Sequence, residues 1–221
     1  KNGNLCLNRA SESPRQPGSS IKPLSTYSLA LEKDYINWSS MILNYAIYHN
    51  GKLWPQNSDG THGSKKNVTV QYAIQKSFNT VPVRIITDML GVNEAYNFMK
   101  KTFHLSTLDD ANDASIAPLA TGSLTNGVTT VEMAAAYAVF GNNGYYYKPY
   151  CYYKVTNATG TEVLLETKSE PEKVLSEDTA EVMRELLKTV PARSFRSSKN
   201  LGKFELMSKT GTTSDTKDSW I

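Results

Sequence analysis

The segment that most constrains this chain is Ser208-Lys209-Thr210-Gly211-Thr212-Thr213, close to its last residue, Ile221. Phe204-Glu205-Leu206-Met207 leads into it with apolar and polar residues alternating, a period that predicts a strand. A lysine on or just past a strand offers a fixed positive charge. The threonine hydroxyls and exposed backbone N–H groups beside it are donors suited to a carboxylate. Gly211 carries no side chain, which predicts that a ligand's backbone lies alongside the strand there. Alone, such a run is also what a strand entering a turn looks like, so its meaning depends on what precedes it.

The chain has 221 residues, enough for one domain with a substantial core or two small ones. Hydrophobic residues make up 39% and charged residues 20%, a balance that suits a globular chain and argues against disorder. The net charge is +3, and no basic segment is interleaved with aromatics, so nothing points to a nucleic-acid partner. The longest apolar run, Met133 to Phe140, is far short of the roughly 20 residues of a membrane span. Cys6 and Cys151 leave a single disulfide open, and their separation decides nothing. His49, His62 and His104 lack metal-ligand spacing, so no metal site is expected. Asp218-Ser219-Trp220-Ile221 looks like a strand cut short, and the chain reads as a piece of a longer protein.

Taken in order, residues 1–18 read as extended or loop chain. A helix is predicted from Ser19 or Ser20, with Pro23 in its first turn and Leu24, Tyr27, Ser28 and Leu31 forming a mostly apolar face. Residues 50–67 read as a long loop. Val70 to Lys76 is predicted helical, interrupted by Ser77-Phe78-Asn79. A second helix follows from Thr80 to Gly91, and another from Asn93 to Phe103. Thr129 and Glu132 form a capping box before an alanine-rich helix. Tyr145 to Val155 alternates loosely, Asn157 to Gly160 is a turn, and Thr161 to Glu166 is a returning strand. Ser176 caps a helix whose Ala180, Met183, Leu187 and Val190 share one face, ended by Pro191. Residues 192–203 are a basic, serine-rich loop.

Two further motifs precede the lysine-threonine-glycine run. Ser19 and Lys22 stand three apart at a helix start, where i and i+3 side chains share a face with about 5–6 Å between Cβ atoms. A helix N-terminus adds N–H groups suited to an oxyanion. Ser77 and Asn79 stand two apart at a helix break. In extended chain both would point into one cleft. Each motif has an ordinary reading as well: Ser19 as an N-cap beside a solvated lysine, Ser77 or Asn79 as caps of helix ends.

Ser-x-x-Lys, Ser-x-Asn and Lys-Thr-Gly in this order are the signature shared by class A β-lactamases and penicillin-binding proteins. Arg15-Gln16-Pro17-Gly18-Ser19-Ser20-Ile21-Lys22-Pro23 resembles the active-serine segment of the class A, bifunctional penicillin-binding proteins. Leu124 to Thr129 with Glu132 to Tyr137, and Lys209 to Thr213 with Asp218 to Trp220, resemble their transpeptidase domain. The resemblance runs from about Asn8 to Trp220. Ser208 departs from the family's usual glycine, and the loop 191–203 lacks its usual Gly-Thr-Gly.

The resemblance implies an α+β fold of the β-lactamase/transpeptidase type, an antiparallel sheet flanked by helices with an all-helical subdomain. Residues 1–221 would be a fragment of that domain, without the glycosyltransferase domain and membrane anchor of the full-length protein. The implied activity is D-alanyl-D-alanine transpeptidation of peptidoglycan stem peptides on the outer face of the bacterial cytoplasmic membrane, without a cofactor and open to β-lactam acylation. Ser19 would be the nucleophile, Lys22 its base, and Ser77 a proton relay. Asn79 would hold Lys22 and the substrate amide. Lys209, Thr210, Gly211 and Thr212 would bind the substrate's carboxylate end, with the backbone N–H groups of Ser19 and Thr212 as oxyanion hole. Two alternatives stay open: a β-lactamase, with Glu94 the first candidate for its water-activating base, and a non-catalytic β-lactam sensor.

Overall fold

In the computed structural model, residues 6–190, 205–213 and 218–221 are described. The chain opens with a single turn of helix, α1 (Arg9–Glu12), capped by Asn8. From Ser20 to Leu31 the sole charged residue is Lys22, and a helical stretch with so little polarity has to be buried all round. It becomes the axis of the fold: a 3-10 turn at Gly18–Ile21, a wide π turn at Pro23–Tyr27, then α2 (Ser28–Glu32). The expected one-sided face is therefore a correction. Ser25, Thr26 and Ser28 are as buried as Leu24 and Tyr27. Their hydroxyls all find partners, Ser25 Oγ donating to Leu119 O at 2.6 Å, Ser28 Oγ to Leu24 O at 3.4 Å, and Thr26 Oγ1 pairing with Ser25 Oγ at 3.2 Å.

Four strands follow: β1 (Met41–Asn44), β2 (Ile47–His49), β3 (Lys52–Trp54) and β4 (Lys66–Thr69). β1 pairs antiparallel with β4 and β2 with β3, so the loop expected over 50–67 holds one strand and enters a second. Its Asn, Gly, Ser and Lys content hid these elements, because pairing comes from the facing segment and not from local propensity.

Apart from α1, in a stretch expected to be extended or loop chain, and the helix Ile116–Thr121, the helices behave as their sequences predict. Thr69 Oγ1 accepts the Tyr72 N–H and starts α3 (Val70–Lys76), which stops at Ser77. α4 (Thr80–Ile85) runs through a π turn at Ile86–Leu90 to Gly91, and α5 (Val92–Thr102) follows. α6 (Ile116–Thr121) lies in a stretch for which the sequence predicts no element. α7 (Thr130–Gly141) carries the full capping box: Thr129 Oγ1 accepts the Glu132 N–H, and Glu132 accepts the Thr129 N–H, both at 3.2 Å.

β5 (Tyr145–Tyr146), β6 (Lys154–Thr156), β7 (Val163–Glu166) and β8 (Glu172–Lys173) pair as β5–β8 and β6–β7. α8 (Glu177–Lys188) is capped by Ser176, and its Ala180, Met183 and Leu187, with Val190 just beyond, are buried as expected. The axis packs against α4, α5, α6 and α8, with Ile21, Leu24, Tyr27, Ile85, Met99 and Leu186 fully buried between them. Full burial of each such side chain is worth about 1.5–3 kcal/mol.

The last ribbon is β9 (Gly211–Thr212) with β10 (Ser219–Trp220). Here too the expectation is corrected. Residues 205–210 are not part of a strand, so Lys209 and Thr210 precede the ribbon; Phe204 lies outside the described residues. Apolar and polar alternation assigns faces but supplies no partner. Among the described residues the strands form two-stranded ribbons, not one continuous sheet. The loop expected over 192–203 lies outside the described residues. Cys6 and Cys151 are both free and exposed. No helix among the described residues is long and apolar enough to cross a membrane.

Candidate active site

The 3-10 turn Gly18–Ile21 presents its two serines differently. Ser20 is 3% exposed, and its Oγ donates to the Pro17 carbonyl at 2.7 Å. Ser19 is half-buried and lines a small cavity of about 110 Å³ with Gln16, Asn79, Gly122, Thr212 and Thr213. Tyr137 supports the turn from behind, its hydroxyl donating to the Ser20 carbonyl at 2.7 Å.

Gly211 holds the ribbon against this turn. A Cβ there would fall 2.2 Å from the Pro17 carbonyl oxygen and 2.9 Å from Ser20 Oγ. The glycine is needed for contact between protein segments, whereas the sequence had suggested room for a ligand's backbone. Gly18 meets the same ribbon, with the Thr212 carbonyl 2.7 Å from where its Cβ would stand.

Lys22 is fully buried one turn beyond Ser19. Its Nζ donates to Asn79 Oδ1 at 2.6 Å, Ser77 O at 2.9 Å and Phe78 O at 3.1 Å, and stands 3.4 Å from Ser77 Oγ. Lys209, 2% exposed, donates from Nζ to Ser77 Oγ at 2.7 Å and to the Thr210 carbonyl at 2.8 Å. Ser77 Oγ therefore lies between two lysine nitrogens. Its backbone is left-handed at φ 56°, a conformation uncommon for a residue with a side chain and found where a site over-determines it. Ser77 and Asn79 face the same lysine because of this left-handed break between α3 and α4, not through the extended alternation read from the sequence.

Burial holds the Lys22 amine well below the ordinary lysine range, and the neighbouring Lys209 charge pushes it further down. Burial lowers Lys209 to about 7. The three short contacts of Lys22 suit an ammonium, while desolvation and the second cation favour the amine. Desolvation dominates at a fully buried nitrogen, and loss of the proton leaves two N–H donors for the carbonyl-type oxygens and a lone pair free to accept.

These lysines make stability depend on pH. Each releases its proton more readily in the folded chain, so the unfolded chain binds more protons between the two pKa values and stability rises with pH in that window. For Lys209 the window opens at about 7 and closes near the unperturbed lysine value of about 10.4. At about 1.36 kcal/mol per pKa unit the gain is at most about 5 kcal/mol. Lys209→Met is expected to flatten the rise in urea-unfolding free energy between about pH 7 and 9.5. An unchanged rise in the variant would assign it to another group.

The expected site residues thus fall into two groups joined by Asn79. Lys22, Ser77, Asn79 and Lys209 form one hydrogen-bonded cluster, while Ser19, Asn79 and Thr212 share the cavity. Thr210 contributes its carbonyl to Lys209. Glu94 is not at the site: it is paired with Lys33 at 2.7 Å, eleven residues along the helical axis from Lys22, or roughly 16 Å. Sequence reasoning missed Gln56 and Asn57, which hold Asn79 from behind, Asn44, which holds Asn57, and Gly122, whose Cβ would strike the Gly18 carbonyl at 2.0 Å. An asparagine before Ser58-Asp59-Gly60 reads as an ordinary turn residue, so only the fold reveals its partner.

The fold is that of the β-lactamase/transpeptidase class. Residues 1–219 match the penicillin binding protein transpeptidase domain, and the chain belongs to that family. It is 40% identical to Penicillin-binding protein 1A of Clostridium acetobutylicum, covering 97% of this chain and 27% of that protein. It is 32% identical to Penicillin-binding protein 4 of Bacillus subtilis, covering 97% of this chain and 33% of that one. The chain spans about a quarter to a third of the length of these curated relatives. Among solved structures, Penicillin-Binding Protein 1A from Haemophilus influenzae superposes with a TM-score of 0.80 at 25% identity, over 97% of this chain and 37% of that one. Penicillin-binding protein A from M. tuberculosis, solved as an imipenem acyl-enzyme complex, shares the fold with a TM-score of 0.79 at 21% identity, over 94% of this chain and 50% of that one.

Proposed function

We propose that this chain carries the acyl-transfer site of a D-alanyl-D-alanine transpeptidase that cross-links peptidoglycan stem peptides. The observation that supports this reading best is the convergence of Lys22, Ser77, Asn79 and Lys209 behind the turn that presents Ser19. Ser19 Oγ attacks the carbonyl between two terminal D-alanines and gives its proton to the neutral Lys22 amine. The carbon–nitrogen bond breaks, and the proton passes from Lys22 through Ser77 Oγ to the departing D-alanine nitrogen. An ester to Ser19 remains. An amine from a second stem attacks that ester, Ser19 Oγ regains a proton, and the new amide is the cross-link.

Lys209, with Thr210 and Thr212, binds the terminal carboxylate, and backbone N–H groups of Ser19 and Thr212 hold the oxyanion, where each donor is worth on the order of 3 kcal/mol. Gly211 seats the ribbon on the serine turn. No cofactor enters this scheme. β-Lactams acylate the same serine. In the longer protein this domain stands with a glycosyltransferase domain and a membrane anchor, outside the cytoplasmic membrane.

The test is to incubate the intact protein with a penicillin and map the adduct by peptide mass spectrometry. The adduct is expected on Ser19. Its appearance on Ser20 or Ser77, or a folded protein with no adduct, would overturn the assignment. Ser20 is excluded on two grounds: i and i+2 side chains do not share a helix face, and its hydroxyl is buried against Pro17.

A further inference from the structure

We infer that Asn57 is a positioning residue: by accepting the Asn79 and Thr80 N–H groups it fixes the backbone from which the Asn79 side chain reaches Lys22. The inference rests on the active-site reading above. An asparagine at the start of a helix ordinarily turns its own carbonyl oxygen onto the N–H groups two or three residues on. Asn79 stands at the start of α4 and makes no such bond. Asn57, from the segment after β3, instead holds the two N–H groups before those an N-cap side chain reaches. Its Oδ1 accepts the Asn79 N–H at 2.7 Å and the Thr80 N–H at 3.3 Å. Both are helix-start donors with no partner inside the helix.

The neighbouring Gln56 carbonyl accepts Asn79 Nδ2 at 2.7 Å. That bond fixes which end of the Asn79 amide faces the site, and its oxygen is left 2.6 Å from Lys22 Nζ. Two adjacent residues therefore grip Asn79 by backbone and side chain at once. The grip is anchored in turn. Asn57 Nδ2 donates to Asn44 Oδ1 at 3.4 Å, and the same oxygen accepts Thr80 Oγ1 at 2.6 Å. Asn44 is the last residue of β1, and its Nδ2 donates to Ser64 Oγ at 3.4 Å. Asn44, Asn57 and Thr80 are all buried, so the network is shielded from water, where an unpaired polar group is costly.

Removing the Asn57 side chain orphans the two N–H groups. Without that grip the Asn79 backbone loses its anchor, and its side-chain oxygen shifts from Lys22. Misplacing a catalytic contact by about 1 Å costs up to about 10²-fold, so Asn57→Ala is expected to slow acylation by roughly 10- to 100-fold. Asn57→Asp keeps the accepting oxygen. It loses the donor to Asn44, but an Asn44 amide flip restores one: Ser64 Oγ then donates to the turned oxygen, and Thr80 Oγ1 accepts from the turned nitrogen while donating to the residue-57 carboxylate.

The experiment measures the second-order acylation rate of the intact protein with a fluorescent penicillin, alongside thermal melting, for wild type, Asn57→Ala, Asn57→Asp, Asn79→Ala and Asn57→Ala/Asn79→Ala. The expected result is a loss in Asn57→Ala, a rate within about tenfold of wild type in Asn57→Asp, and a further loss of less than about threefold when Asn57→Ala is added to Asn79→Ala. A folded Asn57→Ala protein at the wild-type rate overturns the inference. So does a double variant that suffers both losses in full, because a merely structural residue would act independently of Asn79. If Asn57→Ala does not fold, Asn57→Asp decides: a rate within about tenfold supports the role, and a slower one overturns it. A Ser19→Ala control separates the two layers, since acylation of that variant would sink the active-site reading itself whatever Asn57 does.

Discussion

A protein carrying Lys22→Ala is expected to react with penicillin about 10² to 10⁴-fold more slowly than wild type, the range for losing a positioned general base. A free lysine titrates near 10.4 and would be a base for only a trace of molecules at neutral pH. Burial and the Lys209 charge bring the Lys22 amine down from that range. The sign follows: the wild-type rate climbs with pH as Lys22 loses its proton, and the variant loses that limb. The fold is expected to survive, because the substitution removes a buried cation that destabilises the folded chain at low pH. The vacated space is lined by Ser77 O, Phe78 O and Asn79 Oδ1, polar enough to hold a water. Acylation kinetics across pH, with melting curves as control, make the measurement. A variant that acylates at the wild-type rate would assign the base elsewhere, and Lys209, lowered to about 7, would be the next candidate.

Much of this site is legible in the sequence because its parts are local. Ser19 with Lys22, and Ser77 with Asn79, sit at helix ends that the sequence marks with Pro23, Thr80 and Pro82. The chemistry of each pair depends on spacings of two or three residues. What brings the pairs together is not local. Ser77 meets Lys209 across 132 residues, and no propensity carries that contact. The same holds for Asn57, whose partner Asn79 lies 22 residues away and whose own surroundings look like a turn. Gly211 and Gly122 were legible as glycines but not as contact points, because the backbone that crowds them arrives from the Gly18 turn. The turn at Asn157–Gly160 and its returning strand were legible and form the β6–β7 ribbon, but β3 and β4 were missed for a related reason: they lie in a stretch of turn-forming residues, and only their partners β2 and β1 make them strands. The helices needed no such information, since caps such as Thr129 with Glu132 act within a single turn.

The adduct on Ser19 is expected to persist for many minutes at neutral pH, and this separates a transpeptidase from a β-lactamase. Both classes form the same ester by the same attack, so acylation alone does not distinguish them. Removing the ester with water requires a second base that holds a water against its carbonyl, and that help is worth about 10² to 10⁴-fold in rate. Among the described residues lining the Ser19 cavity none is a carboxylate: Gln16, Asn79, Thr121, Ser123, Thr212 and Thr213 supply amides and hydroxyls. Glu94, the first glutamate after Asn79, is held on the surface by Lys33, far along the axis from Lys22. An incoming stem-peptide amine, held by its own binding contacts, arrives with the orientation that a water lacks. Mixing the intact protein with a chromogenic cephalosporin is therefore expected to give one stoichiometric burst followed by almost no turnover. Sustained hydrolysis of several molecules per second would overturn the transpeptidase reading. Loss of that hydrolysis in Glu94→Gln would then identify a β-lactamase whose surface glutamate swings into the cleft.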